Sequence, residues 1–221
     1  MRNVYRIAKT ELRMLFCSPI MWVLLLIFVM QASGIFSGLC WRIAHNNEWG
    51  DGYFSPGSFG FIMGMWMSTC GSLHFYIPLL TMGLISRELS TGSIKLLYSS
   101  PISNAQIVLG KFFSTVMFAV ILCVVLLLYV FVAGNIIEAF QWQATLVGLL
   151  GIFLLACTYI SIGLFVSSLT SYQFVAALGT YLLLALLLAV GGWWQEYDVV
   201  RDITYWLSIS GRAYTFVAGM I

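Results

Sequence analysis

Long apolar runs separated by short polar segments constrain this chain more than any other feature of its sequence. Five runs, at residues 19–39, 61–85, 112–133, 144–169 and 174–193, are each about long enough to cross 30 Å of hydrocarbon as an α-helix. In lipid a helix satisfies its own backbone hydrogen bonds. Charged residues are 8% of the chain, against about 25% in soluble domains. The sequence therefore predicts an all-α membrane protein, with one domain over residues 1–221 and five transmembrane helices.

Charge and cysteine content argue against several other classes of protein. The net charge of +2 is too small to indicate a nucleic-acid partner. Five cysteines are an odd number, and most lie in apolar runs where a thiol behaves as a small hydrophobic group. The sequence shows no nucleophile–base pattern, paired carboxylates or zinc-ligand spacing. We therefore predict no disulfide framework, no metal site, no cofactor bound by this chain and no catalysis.

Residues 1–17 have the pattern of an amphipathic helix lying at the membrane interface. At 100° per residue, Arg2, Arg6, Lys9 and Arg13 fall within about 60° of one another, opposite an apolar arc. The same basic residues are also compatible with a positive flank that orients the first span. Glu11 projects into the apolar arc, so we expect a basic partner from elsewhere in the chain, or else exposure at the water boundary.

Two further segments carry polar residues beside apolar ones. His74 lies in the second run, where an ionisable residue suggests a functional site, although a hydrogen-bonded structural histidine is the alternative. Residues 40–60 form a predicted loop at the outer interface, rich in turn formers and aromatic residues. Residues 195–221 mix charged and apolar residues and predict an extracytoplasmic or re-entrant segment. The sequence ends within an apolar stretch, so we expect a longer natural chain.

The distribution of basic residues predicts the orientation. With five alternating spans, seven Lys and Arg residues fall on the side of the N-terminus and three on the other side. Cytoplasmic loops carry the excess of basic residues. The N-terminus and residues 86–111 are therefore predicted to be cytoplasmic in a multi-pass protein of the cell's inner (cytoplasmic) membrane.

Residues 86–111 are a polar segment between two apolar runs, and they read as a docking surface. A helix is predicted at residues 92–99, followed by a corner at Pro101. A second helix is predicted from about Asn104, since Ser103 and Gln106 have capping-box spacing. An apolar face on the first helix requires cover from the bundle or from a partner protein, and it consists of Ile94, Leu97 and Tyr98.

The same segment carries a resemblance to a known family. Its residues resemble the intracellular loop of ABC-2 type transporter permeases at Glu88, Thr91-Gly92, Leu96-Leu97, Ser100 to Ser103 and Ile107 to Lys111. A narrower set of motifs is similar to the permease of the gliding-motility type ABC system of Bacteroidetes. These motifs are Ser18-Pro19 after a basic helix, Gly110-Lys111, and Ile162 to Thr170 with Gln173.

The resemblance implies an ABC-2 type exporter fold whose coupling helix docks on a separate cytoplasmic ABC ATPase. ATP and Mg would bind that ATPase, and this chain itself contains no GxxxxGK[ST] motif. It also implies a dimer with a second permease copy or a homologous permease, contact with membrane lipid, and a sixth span beyond Ile221. The implied ATPase-coupling residues are Arg87, Glu88, Thr91, Gly92, Ile94, Leu96, Leu97, Tyr98 and Pro101.

Two alternatives from other classes stay open. An ion-coupled secondary transporter or channel would place ionisable residues in its spans, and His74 is the one such residue in the five runs. A membrane scaffold without transport would use residues 86–111 only to bind a partner. The sequence favours no particular substrate, although an apolar bundle is compatible with amphiphilic molecules.

Overall fold

The computed structural model describes residues 2–45, 58–93, 103–136, 140 and 142–190. These residues form helices joined by short turns, which confirms the predicted all-α class. In chain order the helices are α1 (Arg2–Cys17), α2 (Pro19–His45), α3 (Ser58–Thr81), α4 (Ser86–Thr91), α5 (Asn104–Ile136), α6 (Trp142–Leu169) and α7 (Gln173–Val190). The predicted segment at residues 195–221 lies outside the described residues.

Three of the described helices are long and apolar enough to cross a membrane. They comprise Pro19–Trp41 within α2, all of α5 and all of α6. A shorter apolar stretch, Gln173–Ala189, covers most of α7. α3 is 24 residues long, but its serine, threonine and histidine side chains lower its hydropathy. The chain is a multi-pass membrane protein, and the count of five spans stays a prediction.

The core lies where α3 packs against α6, with α2, α5 and α7 around this pair. Trp66 of α3 and Ile160 of α6 are both fully buried there. Large apolar side chains on the outer faces are exposed instead, such as Met30, Leu128 and Phe131. Exposed apolar faces on long helices suit contact with lipid, since hydrocarbon around the protein is as apolar as the side chains.

Two glycines allow helices to approach closely. A Cβ atom on Gly163 of α6 would lie 2.8 Å from Cβ of Thr81 on α3, and closer still to its hydroxyl. A Cβ atom on Gly110 of α5 would lie 2.6 Å from Cγ2 of Ile7 on α1. Small residues at such crossings let membrane helices pack backbone against side chain.

The structure corrects two predicted boundaries. The run at residues 61–85 is not one helix, since α3 ends at Thr81 and a turn precedes α4. In that turn the Leu84 N–H donates to the Thr81 carbonyl at 3.2 Å. The predicted loop at residues 40–60 is shorter, because α2 continues to His45 and α3 starts at Ser58.

The polar segment contains a helix that the sequence did not predict. This helix, α4, precedes Gly92. The predicted helix at residues 92–99 lies almost wholly outside the described residues and stays a prediction. Gly92 has φ of +70°, a left-handed conformation that glycine adopts readily and that ends a helix. Residues 94–102 lie outside the described part of the chain. The second helix of the segment does begin at Asn104 as predicted.

Replacing Gly163 with alanine should destabilise the bundle, because the new methyl group collides with Thr81 at the α3–α6 crossing. Overpacking of this kind costs about 1–3 kcal/mol. The thermal unfolding midpoint of the purified protein in detergent measures the effect. Gly71→Ala is the matched control, since a Cβ atom there meets nothing within 4 Å. Equal midpoints for the two variants would contradict the close packing.

Candidate functional site

A buried ion cluster joins three helices. The Lys111 Nζ atom lies 2.6 Å from Oε1 of Glu11 on α1 and 2.6 Å from Oε1 of Glu88 on α4. The lysine side chain is 2% exposed, that of Glu11 10% and that of Glu88 18%. We call these three residues the Lys111 cluster. Lys111 is thus the basic partner that the position of Glu11 led us to expect.

Local sequence explains how Lys111 reaches both carboxylates. It lies in the second turn of α5, directly after Gly110, where α1 approaches closely through Ile7. Glu11 follows Ile7 by four residues and therefore projects from the same face of α1. Glu88 lies in the first turn of α4. The small residue next to the lysine brings α1 near enough for a short charge-assisted hydrogen bond.

The cluster has one positive and two negative side chains. A lysine buried without carboxylate partners would be costly, and two hydrogen bonds to carboxylates offset that cost. The formal charge of the cluster is −1 when all three groups are ionised. Glu88 is the more exposed of the two acids, so it lies at the solvent edge of the cluster.

A second contact fixes the start of α4 to α6. The backbone N–H groups of Ile85 and Ser86 both donate to the Ser167 hydroxyl oxygen at 3.2 Å. The Ser167 hydroxyl in turn donates to the Met82 carbonyl at 3.3 Å, and the Ser86 hydroxyl donates to the same carbonyl. Ser167 therefore supplies acceptors and donors that the turn after α3 lacks. These bonds hold the turn between α3 and α4 against α6.

Sequence reasoning did not assign a role to Ser167 or pair Lys111 with Glu88. Ser167 belongs to one of the motifs that carry the family resemblance, but serine is common in membrane helices. The position of Ser167 could have suggested its role, because a hydroxyl near the end of an apolar run often bonds to the backbone of a neighbouring helix. Charge alone could suggest an ion pair for Lys111 without choosing its partner.

The predicted coupling residues divide into those described and those outside the described residues. Arg87 is exposed on α4, and Thr91 in its last turn donates a hydroxyl hydrogen bond to the Arg87 carbonyl at 2.9 Å. Gly92 ends the helix. Five predicted residues lie outside the described part of the chain: Ile94, Leu96, Leu97, Tyr98 and Pro101.

Residues 2–17 form a helix, α1, as predicted, and it packs along the first half of α5, while its place at the membrane interface stays a prediction. Arg6, Lys9 and Arg13 are exposed, whereas Glu11 on the opposite arc is buried. Arg2 is the first residue of the helix. The apolar arc therefore lies against protein, and the basic arc is free to face a membrane surface or water.

His74 lies apart from the Lys111 cluster, in the core between α3 and α6. Its Nδ1 atom is 3.2 Å from the Cys70 carbonyl oxygen, which can only accept, so Nδ1 carries the proton. Nε2 of the neutral ring then accepts from the Tyr159 hydroxyl at 2.9 Å. Both ring nitrogens are hydrogen-bonded, so this geometry accounts for the histidine without assigning it a role in transport.

Replacing Lys111 with methionine should strongly destabilise the protein, because buried Glu11 and partly buried Glu88 would remain side by side without a counter-charge. Breaking a buried ion pair in this way costs about 3–5 kcal/mol. The unfolding midpoint in detergent is the measurement. The triple variant Lys111→Met with Glu11→Gln and Glu88→Gln should recover much of the loss. Lys9→Met, on the exposed arc of the same region, should change stability by about 0.5 kcal/mol or less. A Lys111→Met variant as stable as Lys9→Met would contradict the cluster.

Comparison with known families agrees with the resemblance found in the sequence. The model of the ABC-2 family transporter protein matches residues 62–195, more than half of the chain. The matched region contains α4, α5, α6 and α7, and with them Glu88, Lys111 and Ser167; Glu11 and α1 precede it. A search of curated proteins found no match. The chain belongs to the ABC-2 family of transporter proteins.

Proposed function

We propose that this chain is the permease subunit of an ABC exporter, driven by a separate cytoplasmic ATPase that binds ATP and Mg. The observation that carries the proposal is the attachment of α4 to three helices at once. Lys111 connects it to α1 and α5, and Ser167 connects it to α6. In this arrangement a force on the polar segment reaches the membrane helices directly.

The attachment matters because α4 is too short to be stable by itself. It has six residues, whereas isolated helices need about 12–15 residues to be even marginally stable in water. Its position therefore depends on the Glu88 and Ser86 contacts. A segment held at two points by buried bonds can pass a displacement to both of the helices that hold it, which is the physical requirement for coupling.

The docking surface in this proposal begins at the exposed end of α4. Arg87 and Thr91 are exposed there, and Gly92 turns the chain out of the helix. The apolar residues that follow in sequence would provide the contact with the ATPase: Ile94, Leu96, Leu97, Tyr98 and Pro101. An apolar patch next to a charged helix end is a typical composition for a protein interface.

The remaining features of the proposal concern assembly and subgroup. Two permease copies, or this chain and a homologous one, would form the substrate path, and each would bind an ATPase. The N-terminus and α4 would face the cytoplasm from the inner membrane. The motif at residues 162–170 supports the gliding-motility type of permease in particular, and it includes Gly163 and Ser167, which make the α3 and α4 contacts described above.

Ion-coupled transport and a scaffold without transport are weaker candidates. The ionisable group expected for ion coupling was His74, and both of its nitrogens are engaged in hydrogen bonds within the core. A scaffold has no need for a docking helix attached to α1 and to two membrane helices. The ATPase-driven permease explains both observations and agrees with the family.

Replacing Leu97 with aspartate should abolish co-purification with the cognate ATPase, since a carboxylate at the centre of the apolar patch would have to be desolvated. The measurement is the amount of ATPase retained on the tagged permease, with membrane insertion and the unfolding midpoint as checks of integrity. Leu97→Met is the matched control and should retain the partner. Full retention by Leu97→Asp would contradict docking at this segment.

Replacing Glu88 with glutamine should weaken coupling while leaving docking intact, because it removes the charge that attaches α4 to Lys111 without changing the proposed contact surface. Stimulation of ATP hydrolysis in the assembled complex should fall by about two- to thirtyfold, the range for mutations that modulate coupling. Ser90→Ala, exposed on the same helix, should have little effect. Unchanged stimulation with Glu88→Gln would show that force does not pass through the cluster.

A further inference from the structure

An open groove of about 700 Å³ lies between α1 and the first half of α5. Its wall is mostly apolar, and several of its large side chains are strongly exposed. Tyr5 is 67% exposed, Phe113 52% and Met117 54%. Such a groove has an unfavourable contact with water, so its normal occupant should be apolar over most of its length.

The α5 wall of the groove runs in the direction that a lipid chain takes beside a membrane-spanning helix. Leu109, Phe113 and Met117 follow one another at intervals of four residues and therefore form a stripe along one face of α5. With a rise of 1.5 Å per residue the stripe is about 12 Å long. It begins near the N-terminal end of an apolar helix that is long enough to cross the membrane, so one end of the groove lies near the headgroup level.

The α1 wall adds a positive charge to this apolar groove. Lys9 lines it, and Arg6 and Arg13 are exposed on the same arc of α1. Glu11 is the single acidic residue of α1, and its carboxylate is bonded to Lys111 in the buried cluster. Glu11 therefore lies on the arc of α1 opposite the exposed basic residues and is not their partner.

We propose that the groove binds one acyl chain of an anionic phospholipid, with the headgroup phosphate on Lys9. An apolar channel with a cation on its wall matches the two parts of such a lipid, and a phosphate near a lysine is a favourable contact at the membrane surface. The bound lipid would fill the space between α1 and α5 beside the Lys111 cluster. The inference needs only the membrane location of the chain, so it stands or falls separately from the proposed ATPase coupling.

Native mass spectrometry of the detergent-solubilised full chain tests the site, with phosphatidylglycerol and phosphatidylcholine added in turn. Phosphatidylglycerol should bind more tightly to the unchanged protein. Lys9→Gln should weaken that binding by about fivefold, the contribution expected of one basic side chain near anionic lipid. Arg13→Gln is the matched control, since Arg13 is exposed on the same arc but does not line the groove, and it should change binding less.

A second pair of variants tests the groove itself. Met117→Trp should fill the groove and reduce the number of tightly bound phosphatidylglycerol molecules by one. Val124→Trp, seven residues further along α5 and comparably exposed, should leave that number unchanged.

Equal effects of Lys9→Gln and Arg13→Gln would overturn the proposal in favour of general surface charge. Equal binding of both lipids, or no effect of Met117→Trp, would also overturn the proposal. A cross-link from a cysteine at position 117 to a second copy, or to residues 191–221, would overturn it as well, because another occupant would then fill the groove.

Discussion

The bond between one buried lysine and two carboxylates is the interaction on which the cytoplasmic-side architecture proposed for this protein depends. Glu11 lies 100 residues before Lys111 in the chain, and Glu88 lies 23 residues before it. Both carboxylates nevertheless bond to the Lys111 Nζ atom. Without the lysine, α1 would carry a carboxylate on its apolar face, and α4 would lose a partner in its first turn. The three helices therefore need one another to satisfy their charges.

Close packing makes that bond possible and limits where it can form. Gly110 lets α1 approach α5 beside the lysine, and Gly163 lets α6 approach α3 beside the turn that leads into α4. Ser167, one helical turn after Gly163, then bonds the backbone at the start of α4. The short helix α4 is held in this way by contacts with α5 and α6.

The sequence was sufficient for the helical class and for most helix positions, because long apolar runs have few alternatives in lipid. It also led us to expect a basic partner for Glu11, with exposure at the water boundary as the alternative, since a carboxylate on an apolar arc is costly. It did not reveal that the run at residues 61–85 breaks after Thr81. The turn after Thr81 is bonded to the Ser167 hydroxyl, 85 residues away from Met82, and long-range hydrogen bonds leave no periodic signal. The end of α4 at Thr91 could have been predicted from Gly92, a favoured residue for ending a helix.

The distance between α1 and α4 tests most directly whether the Lys111 cluster holds these helices together. Spin labels at Thr10 and Ser90, both exposed, would report it by pulsed electron spin resonance in lipid nanodiscs, on a background with the native cysteines replaced. We expect one narrow distance distribution for the protein with Lys111 and a broad or shifted one for Lys111→Met. Identical narrow distributions in the two proteins would contradict a role of the Lys111 cluster in holding α1 and α4 together.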